Sequence, residues 1–295
     1  MDAEKKMIRG VQAILMARAK IIVPLLLVGL YLATQTMRLD WRVGDGTLHY
    51  LRFAHNLLQS RSFALEIVPP GYVPSLSRAL PPGYPLLIAA IGGVHSGVRD
   101  GIACYAERGA VCQMAFPFRP VLALQLIAAL TSLWLTYRIA IELSGSREIA
   151  FLTVLLVVLG GRFWELAGQL QGYVFVGVAL FSSLYCLIRA HGRRSMVWSG
   201  LAGLMLGLGA LFHPPLLYLL VTLAPIVFLV WRSGERVGKS NALPAASALL
   251  IGGLVVALPW MVRNLSLFGG LTLGEDYEGL PLGQRLAFNG MTWKE

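Results

Sequence analysis

The chain has 295 residues, 56% of them from the AVILMFWYC set and only 14% charged, with a mean hydropathy of +0.66. A soluble domain carries roughly 25% charge, so this chain cannot coat a globule of its size, and the soluble-enzyme, disordered and fibrous classes are excluded. The net charge of +10 would suit a nucleic-acid binder, but the 25 Lys and Arg fall between apolar runs and not along one face, so no nucleic-acid partner is expected. The Lys- and Arg-rich segment 1–19 precedes an apolar run at 20–37 with no clear small-residue cleavage site after it, which reads as a retained signal anchor. A bilayer core of about 30 Å takes about 20 apolar residues per helix. Six further runs follow at 119–140, 148–161, 173–189, 196–212, 215–231 and 244–262. The expected class is therefore an all-α polytopic membrane protein with seven spans. With the N-terminus in the cytoplasm, thirteen Lys and Arg fall on the inner segments and one, Arg162, on the short outer ones, as the positive-inside rule requires. The chain then divides into a cytoplasmic segment 1–19, a membrane module 20–262 and an outer tail 263–295, with 38–118 as a large first outer loop.

That loop holds its own elements. Tyr50, Ala54, Leu57 and Leu58 recur at helical spacing while His49, Arg52, His55 and Gln59 lie away from them, which predicts an amphipathic helix lying in the interface. Pro69-Pro70-Gly71 and Pro81-Pro82-Gly83 break the chain. The apolar stretch 84–94 is too short to span. As a full span it would invert every later loop and reverse the charge bias, so it is expected to stay on the outer side. Cys104 and Cys112, eight residues apart in this loop, fit either a short disulfide in an oxidising compartment or two packed thiols, and the spacing leaves both open. Cys186 sits inside an apolar run and reads as packing, and no C-x-x-C pair points to a metal.

Few residues carry chemistry. Asp45, between Gly44 and Gly46, follows the first span. It is either a turn or cap residue or a carboxylate presented to the polar head of an amphiphile. Arg263 ends the last span and is either an interfacial snorkel or a bidentate partner for a phosphate. Glu165, on the second outer loop, either pairs with Arg162 one helical turn earlier or acts as a second acid. His213, before Pro214, either satisfies a helix end or hydrogen-bonds a phosphate. The sequence holds no P-loop, dinucleotide fingerprint or His-Glu-x-x-His motif.

The order of motifs is specific in combination. A glycine-flanked Asp45 is followed by the helix carrying Tyr50, then Pro81-Pro82-Gly83-Tyr84-Pro85-Leu86, then Gly207-Leu208-Gly209-Ala210-Leu211-Phe212-His213-Pro214, and last Pro259-Trp260-Met261-Val262-Arg263-Asn264. This order resembles the integral-membrane glycosyltransferases of the GT-C type, and among them bacterial relatives of the protein mannosyltransferases and aminoarabinose transferases. The resemblance implies a seven-span module in the bacterial inner membrane. It also implies transfer of a sugar from a polyprenyl-phosphate lipid to an acceptor at the outer face. It makes Asp45 the catalytic carboxylate, leaves Glu165 as the only acid for the second outer loop, and puts Tyr50, Tyr84, His213 and Arg263 at the substrates. Many relatives carry a second acid beside the first, where this chain has Gly46, so a paired-carboxylate site for a divalent metal is not evident. The relatives continue with more spans, whereas this sequence stops at Glu295, which suits a minimal module, a fragment, or a chain with a partner that supplies the missing spans. The competing functions are an inactive relative acting in binding or assembly, and a small transporter. The transporter is the least supported, because neither repeats nor charges at span centres are seen.

Overall fold

The computed structural model describes residues 45–69, 71–112, 114, 117–160, 167–193, 195–233 and 242–274. The expected segment 1–19, the first span at 20–37, Glu165 and most of the tail 263–295 lie outside these residues. Among the described residues every regular element is a helix. They are α1 (Asp45–Ser60), α2 (Gly83–Val94), α3 (Ser96–Arg108), α4 (Arg119–Ser144), α5 (Arg147–Leu159), α6 (Tyr173–Arg193), α7 (Met196–Phe212), α8 (Pro215–Ser233) and α9 (Ala242–Phe268), with a 3₁₀ turn at Gly109–Val111.

Local chemistry explains where the helices begin and end. Pro120 sits in the first turn of α4, where a missing N–H leaves no bond unmade. Gly145 closes the same helix at φ 66°, a left-handed conformation that suits a residue without Cβ. Ser146 then caps α5, its Oγ accepting from the Ile149 N–H at 3.3 Å. The two helices thus form a hairpin with a two-residue connection.

Among the described residues, four helices are long and apolar enough to cross a membrane: α4, α6, α8 and α9. Helix α7 has 17 residues and α5 only 13, which at 1.5 Å per residue is about 25 and 20 Å, short of the bilayer core. No more than 39% of the apolar stretch of any of these helices is buried inside the protein. Ile127, Leu156, Val221, Leu229, Ile251 and Val255 all show more than half of their surface. In water such a surface would be a continuous aggregation site; in a bilayer it meets acyl chains. The chain is a multi-pass membrane protein.

Helix α7 is the centre of the bundle, packed between α6 and α9 and touching α8. Its backbone comes very close to that of α9. A Cβ on Gly203 would collide with the Leu249 carbonyl, and one on Gly207 with the Gly253 backbone. The glycines let two backbones meet, as small residues do between membrane helices. Leu206, Leu220, Leu249, Ala202 and Ala257 fill the remaining space.

Helices α1 to α3 form a cap over one end of this bundle. The amphipathic α1 is present, with Ala54 buried and Leu57 and Leu58 packed against the cap core. The buried face also includes Leu51, Phe53 and Asn56, because α1 packs on both α2 and α3. Asn56 is tolerated there because its Nδ2 donates to the carbonyls of Ala64 and Glu66, each at 2.8 Å. The stretch at 84–94 is the twelve-residue helix α2. Helix α3 was not expected from the sequence. His95 caps it through Nδ1, which accepts from the Val98 N–H at 3.3 Å, and a disulfide joins Cys104 to Cys112 across a Cα separation of 5.7 Å.

Candidate active site at the capped end of the bundle

The buried centre of the capped end is Tyr84, 1% exposed, in the first turn of α2. Its hydroxyl donates to Gln125 Oε1 at 2.8 Å. Gln125, on α4 and fully buried, donates through Nε2 to the carbonyls of Ala167 and Gln169 at 3.1 and 2.6 Å. One amide therefore ties the start of α2 to the segment that enters α6. Burial, and then the neighbouring Tyr50 phenol, hold the Tyr84 hydroxyl well above the usual phenol range, so it stays a donor. The Tyr50 ring meets the Tyr84 ring edge-on at 5.0 Å.

Backbone contacts draw the end of α7 into the same place. A Cβ on Gly83 would lie 2.8 Å from the Leu211 carbonyl oxygen, and one on Gly172 would meet Phe212 at 3.1 Å and Tyr84 at 3.4 Å. His213 follows directly. Its N–H closes α7 on the Gly209 carbonyl at 2.9 Å, and its imidazole stands edge-on to Tyr173 at 5.8 Å. Burial lowers its pKa from the ordinary histidine value, so at neutral pH it offers one N–H and one acceptor nitrogen. That helix-end bond is made by the backbone and leaves the ring beside Tyr173.

Arg263 stands apart from this group, in a niche near the end of α9. Its guanidinium lies 4.4 Å from the Trp260 ring, 5.5 Å from Phe63 and 5.9 Å from Phe268. Nη1 donates to Asn264 Oδ1 at 2.7 Å, and the buried Asn264 in turn donates to the Thr272 carbonyl at 2.9 Å. The Phe63–Trp260 contact, 4.8 Å between centroids, joins this niche to the residues after α1. Two buried donors beside Arg263, Trp260 Nε1 and Thr272 Oγ1, have no partner among the described residues. Sequence reasoning missed Arg78, whose guanidinium lies 5.6 Å from the Phe268 ring that Arg263 also faces. Its only sequence signal is a position three residues before Pro81-Pro82.

Asp45 is the first residue of α1, and the structure describes its backbone alone. Glu165 lies outside the described residues. Among the described residues no three His, Cys, Asp or Glu side chains gather as metal ligands. Those at the site offer phenol, imidazole, amide and guanidinium, not the oxygen-rich set that a divalent cation takes.

A helical bundle with lipid-facing sides, capped at one end by aromatic and guanidinium groups, defines a membrane protein able to meet an amphiphile at its surface. Residues 110–262 match the family model described as dolichyl-phosphate-mannose-protein mannosyltransferase, just over half of the chain, and the chain belongs to that family of GT-C type glycosyltransferases. No curated protein and no solved structure gives a match. The matched region includes α4 to α8, His213 and most of α9. Asp45, Tyr50, Tyr84 and Arg263 lie outside it.

Proposed function

We propose that the chain moves a sugar from a polyprenyl-phosphate donor to a hydroxyl acceptor at the outer face of the membrane. The observation that carries this reading is the Arg263 niche, set at the end of the family bundle where Tyr84 and His213 also lie. A half-buried guanidinium stacked on indole, with buried donors beside it that have no partner among the described residues, is suited to a phosphate whose lipid tail stays in the bilayer. In this reading the acceptor oxygen attacks the anomeric carbon, and its proton passes to the Asp45 carboxylate. The bond from the sugar to the phosphate oxygen breaks, and polyprenyl phosphate leaves as an anion held by Arg263. A phosphate leaving group needs no general acid. His213 supplies a neutral hydrogen bond that orients the sugar, while Tyr84, buried and bonded to Gln125, holds the segments around it in position.

The orientation belongs to the same proposal. The N-terminus is cytoplasmic, residues 20–262 form the membrane module of a bacterial inner membrane, and 38–118 and 263–295 face outward. Two things support it: the thirteen-to-one distribution of Lys and Arg, and the Cys104–Cys112 disulfide in the first outer loop, a bond that persists on an oxidising side.

Retention of a polyprenyl-phosphate sugar by the purified chain tests the reading. Wild type should bind the donor and Arg263→Ala should bind it roughly tenfold more weakly or worse. Arg263→Lys should fall between them, keeping the charge and losing the planar fork. Equal retention by wild type and Arg263→Ala would remove the phosphate from this niche. Donor bound by wild type without transfer to any acceptor would point to a binding subunit instead.

A further inference from the structure

At the end of the bundle opposite the candidate site, α4 and α6 run side by side in the same direction and bring two arginines together. Arg138 of α4 lies 5.8 Å from the Trp134 ring and 5.9 Å from the Tyr185 ring. Arg189 of α6 lies 5.3 Å from the same Tyr185 ring. Both aim N–H groups at one phenol oxygen: Arg189 Nε donates to Tyr185 Oη at 3.0 Å, and Arg138 Nη2 stands 3.5 Å from it. Arg189 is also paired with Glu142 at 2.6 Å. That carboxylate balances one guanidinium of the two, and among the described residues none pairs with Arg138.

Two like charges on one ring and one hydroxyl repel each other, more so in a half-buried setting of low dielectric. The arrangement therefore leaves one positive charge uncompensated. It also opens toward lipid, because Trp134, one helical turn from Arg138, is 53% exposed. The Tyr185 oxygen faces an N–H from each side, so its own proton is free to be donated outward. What fits is an anion with several acceptor oxygens, joined to an apolar body that can lie against Trp134 and the exposed face of α4. We propose that Arg138 and Tyr185, with Arg189 holding the phenol, bind the headgroup phosphate of an anionic phospholipid, in the leaflet opposite the candidate active site. Basic pockets between membrane helices hold such headgroups, and a guanidinium with remaining N–H groups holds a phosphate oxygen by charge-assisted bonds. Arg138 and Tyr185 supply the new bonds. Arg189 and Glu142 fix the phenol.

The test uses the full chain purified in a zwitterionic detergent and titrated with phosphatidylglycerol, phosphatidylcholine or inorganic phosphate. Lipid retention is read by native mass spectrometry and stability by the thermal midpoint. Phosphatidylglycerol should be retained by wild type and should raise its midpoint. Arg138→Gln should retain it roughly tenfold more weakly, the loss expected for one charge-assisted contact. Tyr185→Phe keeps the ring, and so the packing, and should also weaken retention, which keeps the test open if Arg138→Gln folds poorly. Phosphatidylcholine and inorganic phosphate should give neither effect. Equal retention of phosphatidylglycerol by wild type and both variants, or equal retention of phosphatidylcholine, would overturn the proposal. A midpoint rise with inorganic phosphate alone would overturn it too, by assigning the cluster to a free anion.

Discussion

The Tyr84 hydroxyl donates to Gln125 where no solvent reaches, and Gln125 in turn holds the carbonyls of Ala167 and Gln169. Deleting the hydroxyl would leave the amide oxygen buried without a donor, at a cost of ~1–3 kcal/mol. Tyr84→Phe is therefore expected to lower the thermal midpoint of the purified chain, whereas Tyr72→Phe, at a residue 72% exposed, should leave it unchanged. Equal midpoints for the two variants would mean that the network adds nothing to stability. The sequence singled out Tyr84 through the Pro-Gly-Tyr-Pro run, but Gln125 gave no signal, because one amide in an apolar helix has no periodicity to break. Arg78 was hidden for a related reason. Its partner ring, Phe268, lies at the far end of the chain, and only the fold brings them together. Arg263 was legible as a cation at a span end, whereas the aromatic walls from Phe63 and Phe268 that make it a niche were not.

At the scale of elements, the bundle depends on how closely α7 and α9 approach. Gly203→Ala would put a methyl group onto the Leu249 carbonyl, and backbone cannot yield as a flexible side chain can. The helices must separate, which costs ~1–3 kcal/mol or more for an overpacked core. Gly93→Ala in α2 is the contrast, since a Cβ there meets nothing within 4 Å and alanine favours the helix. Thermal midpoints should fall for Gly203→Ala and hold or rise for Gly93→Ala. A fall of the same size in both would show that close approach is not what Gly203 provides. The apolar runs predicted α4 to α9 to within a few residues at most ends, because a helix buried in lipid must be apolar along its length. Helix α3 escaped notice. Its segment is polar and carries Gly97 and Gly101, poor helix formers; Gly101 is required where Pro117 crosses, since a Cβ would collide with its ring. Likewise Asn56 and Leu51 on α1 are buried by α2 and α3, and a helical wheel drawn against a flat membrane has no knowledge of either.

For the whole molecule, the proposed topology assigns the two ends of the bundle to two compartments. Single-cysteine labelling of sealed cells checks it: Ser77→Cys should react with an impermeant reagent at once, and Ser233→Cys only after permeabilisation. The reverse pattern would invert the protein and put the disulfide loop on the reducing side. The class and the family were legible from composition and motif order because lipid imposes a simple rule on every residue that faces it. The pairing of the capped end with a second, basic cluster at the other end was not, since it depends on which helices run parallel. The claim at the centre of the account is that Asp45, at the start of α1, takes the acceptor proton during transfer from a polyprenyl-phosphate sugar. Asparagine keeps the size of the side chain and can still cap α1, but it cannot take a proton. The direct measurement is the rate of sugar transfer by wild type and Asp45→Asn in proteoliposomes, with donor retention measured on the same samples. The expected result is transfer by wild type, a loss of ~10²–10⁴ in rate for the variant, and unchanged donor retention. Transfer by Asp45→Asn at the wild-type rate would contradict the account and reduce Asp45 to a helix cap.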